Sequence, residues 1–91
     1  MTEQERHQMD GAAALIGLQE LLRIVIAEMC FDLDPGVFRE RARKVEETAV
    51  NGITGRTHFP QAPAETEQFL KESASALVTK IMASIRHPAD Q

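Results

Sequence analysis

Arg56 and His58 are the two side chains in this sequence best placed to do chemistry. They lie in the run Ile53-Thr54-Gly55-Arg56-Thr57-His58-Phe59-Pro60, beside two hydroxyls and a glycine. A guanidinium forks onto phosphate or carboxylate, and an imidazole donates or accepts a proton near neutral pH. Thr54, Arg56, Thr57 and His58 are therefore candidate ligands for a small anion. The run contains neither Gly-x-x-x-x-Gly-Lys nor Gly-x-Gly-x-x-Gly, so it is no recognised phosphate loop. A surface loop pinned by Ile53 and Phe59 in apolar grooves is the plainer reading.

Other chemical groups are sparse. His7, His58 and His87 are far apart in the chain. Glu3, His7 and Asp10 share a helical face, but near a terminus, where a solvated first turn is the simpler account. No metal site and no cofactor is expected. Cys30 falls at a helix C-terminus, where the dipole disfavours a thiolate, so it reads as a structural cysteine. Asp32 and Asp34 read as turn chemistry, with Asp34 free to cap the helix that follows. No catalytic residue emerges, and the chain is expected not to be an enzyme.

Arg39, Arg41, Arg43 and Lys44 form the one basic cluster, with Arg39, Arg43 and Lys44 the candidates for a phosphate backbone. Glu40, Glu46 and Glu47 are interleaved with them, at spacings of three and four that favour pairing along a helix. There is no Tyr or Trp for base stacking, and the 91-residue chain carries 14 acidic against 10 basic residues. A self-paired, solvated face is thus expected, and nucleic acid is not the expected partner.

Three helical segments must position these residues, at about 4–31, 35–51 and 63–87, with a loop at 52–62. No segment alternates like a strand. In the first helix Leu15, Leu18, Leu22, Val25 and Met29 step by three and four, a coiled-coil-like seam. Leu21 and Ile26 widen it to roughly 140° of arc. Ala13, Gly17, Ile24 and Phe31 make a second, weaker face. The second helix opens on Asp34-Pro35 and is expected to stop at Asn51-Gly52, with Gly52 left-handed. Its apolar stripe is narrow: Phe38, Ala42, Val45 and Ala49. The third presents Leu70, Ala74, Leu77, Val78, Ile81, Met82 and Ile85, with Arg86 and His87 in its last turn and Pro88 beyond.

This describes an all-α, single-domain chain of one long, one short and one medium helix. One lone cysteine and a polar, acidic N-terminus point to the reducing cytoplasm. The charges within the apolar stretch from Gly11 to Leu33 argue against a membrane span. A first helix that is apolar on two sides needs partners on two sides. A homodimeric bundle is therefore expected, with an interface drawn from Ala13, Gly17, Leu18, Leu21, Ile24 and Val25. On this reading Gly17→Leu weakens association. The functional expectation is a non-enzymatic protein–protein interaction, regulatory or adaptor protein. The alternatives are a small-anion binder or enzyme accessory subunit using Arg56 and His58, and a nucleic-acid regulator using the second helix.

Overall fold

Thr2 begins the first helix by accepting the Glu5 N–H at 3.1 Å on its hydroxyl, with Glu3 and Glu5 in the positive first turn. In the computed structural model, which describes residues 1–90, this helix is α1, Glu3–Cys30. At 28 residues it is about 42 Å long. Two successive Asx turns then lead into the next helix. The Asp32 carboxylate accepts the Asp34 N–H at 2.9 Å, and the Asp34 carboxylate accepts the Gly36 N–H at 2.8 Å. Pro35 occupies the first position of α2, Pro35–Thr54. The third helix, α3, is Ala64–Ala83, and a 3-10 turn follows at Pro88–Asp90. The described residues are all-helical, with three helices and no strand.

Two helix ends differ from the sequence expectation. α2 runs through Gly52 to Thr54, and no glycine among the described residues has positive φ. A mid-helix glycine costs only about 1 kcal/mol, and continuing the helix half-buries Ile53. Gly55 is the cap instead, its N–H bonded to the Asn51 carbonyl at 2.9 Å. A Cβ on Gly55 would meet that same oxygen at 2.9 Å, so the close approach needs glycine. α2 therefore has 20 residues and equals α3, rather than being the short helix. In turn α3 stops at Ala83, four residues before His87. The residue before a proline avoids the helical region, and His87 leaves the helix to make contacts across the molecule.

α2 and α3 form an antiparallel pair. Lys71 Nζ donates to the Thr54 carbonyl at one end, and Arg39 meets Asp90 at the other. α1 joins this pair only near its own C-terminus. The buried hydrophobic side chains are Cys30, Phe38 and Met82, all where the three helices meet. Residues 1–18 are exposed throughout, so more than half of α1 has no cover from its own chain. The molecule measures 46 × 36 × 16 Å, with a radius of gyration of 16.2 Å. A compact chain of this length would have about 12 Å.

Candidate functional site

The residues singled out for chemistry are mostly committed to holding the fold. In the loop between α2 and α3, the Glu67 carboxylate reaches back from the first turn of α3. It accepts the His58 N–H at 2.7 Å and the Phe59 N–H at 3.1 Å. The His58 N–H is the chief reason that its carboxyl sits below the usual range. His58 Nε2 lies 2.9 Å from the Ile53 carbonyl, a bond the ring satisfies as donor. The Thr54 hydroxyl donates back to Val50 within α2 at 3.0 Å.

Arg56 and Thr57 are exposed on the same loop. An apolar groove of about 500 Å³ opens beside them, lined by His58, Phe59, Pro60, Ala62 and Leu70 among others. Arg56 is not among its lining residues. The loop thus brings Thr54, Arg56, Thr57 and His58 into one segment without aiming them at one point. The carboxylate beside them opposes an anion.

On α2 the arginines are paired. Arg43 is forked between Glu40 at 2.7 Å and Glu47 at 2.6 Å, and these carboxylates hold its guanidinium still more firmly protonated. Arg39 meets Asp90 at 2.6 Å. That hydrogen bond is the main reason the Asp90 carboxyl lies below its usual range. Arg41 donates to the Phe31 carbonyl at 2.9 Å and lies 3.7 Å from Asp32. Lys44 borders a shallow surface depression with Val45, Thr48 and Ala49. Arg43 is neutralised by its interleaved glutamates, whereas Arg39 and Arg41 find their acidic partners outside the cluster, at Asp90 and Asp32.

Cys30 is buried, and its thiol is pushed up by burial, with Arg41 opposing. Among the described residues no three His, Cys, Asp or Glu side chains gather as a metal site would require. No described helix is long and apolar enough to cross a membrane.

His87 is the residue that sequence reasoning misplaced. It is buried, stacked parallel to Phe31 with centroids 6.0 Å apart, and edge-on to Phe38 at 5.4 Å. Its Nδ1 accepts the Ala89 N–H at 3.0 Å, which assigns the proton to Nε2. Nε2 then donates to the Asp32 carbonyl at 2.7 Å. One side chain thereby ties the C-terminal turn to the turn between α1 and α2. The available signal was Pro88, which disfavours a helical His87.

What remains unengaged is a surface. Met9, Leu15, Ile16, Leu18, Leu21, Leu22, Ile24, Val25 and Met29 of α1 are each about half exposed or more. Around Gly17 nothing of the chain comes within 4 Å of where a Cβ would stand. Two of the proposed contact residues, Ala13 and Gly17, are thus open to solvent in the single chain, as are Leu18, Leu21, Ile24 and Val25. Set against known proteins, the chain matches no family model, no curated protein and no solved structure.

Proposed function

We propose that this chain is a non-enzymatic helical interaction protein that works as a homodimer, with α1 as its binding element. The observation that supports this is the exposure of α1: nine large apolar side chains on one helix are left uncovered by their own chain. Contiguous apolar surface on this scale marks an association site. Among the described residues only three hydrophobic side chains are buried, which leaves most core formation to association. The polar groups on the loop and on α2 are largely engaged in structural bonds, consistent with a role in binding rather than catalysis.

Light scattering on a sizing column, over a concentration series, tests the reading. Refractive index must detect the chain, which has no Trp or Tyr. A mass near twice 10.1 kDa is expected at micromolar concentration. A single-chain mass at every concentration overturns the proposal.

A further inference from the structure

The two apolar faces of α1 are not equivalent, and their charge surroundings differ. At about 100° per residue, the seam Leu15, Leu18, Leu22, Val25 and Met29 occupies roughly 80° of the helix. The positions flanking it are Ala14, Leu21, Gln19 and Ile26, all uncharged. The second stripe, Ala13, Gly17 and Ile24, is bordered by Glu20 on one side and by Asp10 and Glu28 on the other. Two copies joined along that stripe would bring six carboxylates together at the contact, the two of Glu20 paired with Arg23, and within α1 only Ile24 would contribute a large apolar side chain, Phe31 lying just past the helix end.

The chain's own contact with α1 lies beside the seam, taking Ile26 from its edge, and on its far side Ile24 of the second stripe borders a depression shared with Ser84, Ile85 and Arg86. Gln19, Ile26 and Ala27 are half-buried and Cys30 is buried, and they centre about 100° from the seam. The seam therefore stays open when α1 is docked on α2 and α3. Its side chains, with Leu21, are half to two-thirds exposed. They offer on the order of 600 Å² per copy, against about 800 Å² for a stable interface. Neighbouring side chains of the same helix can supply the remainder.

We infer that the seam Leu15, Leu18, Leu22, Val25 and Met29 is the seat of a second copy's α1, and that the Ala13–Gly17–Ile24 stripe lies outside the contact. This inference rests on the homodimer reading and narrows it to one face. An uncharged surface with three-and-four spacing is complementary to itself, since knobs from one copy enter the holes of the other. A two-fold axis then applies the same residues from both chains.

The test compares the wild type with Leu18→Glu/Leu22→Glu and with Gly17→Leu by light scattering, with far-UV circular dichroism on each. The two glutamates are expected to weaken association by at least about 100-fold, with a helical signal equal to that of wild type diluted to the same degree of dissociation. Gly17→Leu is expected to remain a two-chain species. A dimeric Leu18→Glu/Leu22→Glu overturns the choice of face and leaves the homodimer standing. So does a dissociated Gly17→Leu. A monomeric wild type overturns both.

Thiol labelling provides a readout that does not depend on the charged variant folding. In the dimer, Leu22→Cys should react at least about tenfold more slowly than Gly17→Cys, and dilution below the association range should equalise them. Equal rates in the dimer overturn the inference. The native Cys30 is buried and adds no fast background.

Discussion

His87 shows how much a single ring can hold when both its nitrogens are engaged. Removing it leaves the Asp32 carbonyl and the Ala89 N–H without their partners and opens a space between Phe31 and Phe38. His87→Ala is expected to cost about 2–3 kcal/mol in urea denaturation, far more than a surface histidine. A value near that of an exposed site would mean that the C-terminal turn contributes little. Glu67 makes a comparable tie for the loop between α2 and α3. Its folded carboxyl titrates below the ordinary value of 4.5, so it binds fewer protons than in the unfolded chain. The tie is therefore complete above about pH 4.5 and is lost as pH falls through the lower folded value. Hydrogen exchange at the His58 and Phe59 amides should accelerate over that interval beyond the change seen elsewhere. Unchanged relative protection would show that other contacts hold the loop. The residues that tie the loop were legible as types but not as partners. Glu67 is locally a favourable first-turn charge, and only the folded loop brings two N–H groups to it.

Helix starts follow from a few residues in local contact, and all three fall within one residue of their expected positions. Thr2 and Asp34 each cap within three residues of themselves, and Pro35 fits a position that needs no N–H. Helix ends depend on what the next residues can bury. Gly52 signals a stop locally, yet α2 continues because Ile53 gains cover. Arg86 and His87 suit a last turn locally, yet α3 ends early. Between α2 and α3 the packing is imperfect at one point: the Ser75 hydroxyl is enclosed without a hydrogen-bond partner. Ser75→Ala removes that group and favours the helix, so it should be neutral or stabilising by up to about 1 kcal/mol in urea denaturation. A loss of more than that would reveal a bond the hydroxyl makes in solution.

For the molecule as a whole, the governing quantity is the apolar surface that folding leaves uncovered. A chain of 91 residues has a thin core at best, and among the described residues this one encloses only the hydrophobic side chains Cys30, Phe38 and Met82. Its 16 Å thickness is close to the width of one or two helices, so neither flat side is far from solvent. The two-chain mass expected in solution follows from this shape. A second copy can cover α1 without any change in the hairpin of α2 and α3. On the homodimer proposal, the stability of the chain rises with its concentration.

The helical class, the number of helices, their starts and the apolar seam of α1 are legible in the linear sequence. Each of these depends on spacing or capping within a few residues, which a linear pattern records. The pairing of Arg43 is legible too, because Glu40 and Glu47 lie one turn away, whereas Arg39 and Arg41 meet Asp90 and Asp32 from elsewhere in the chain. Only the tertiary structure decided where α2 and α3 end, that His87 bridges two turns, and that α1 is docked along the Gln19, Ile26, Ala27 and Cys30 face. Those outcomes depend on which distant groups meet, and His87 and Asp32 are 55 residues apart. The open seam belongs to both levels: its periodicity is local, while its exposure is set by where the other helices pack.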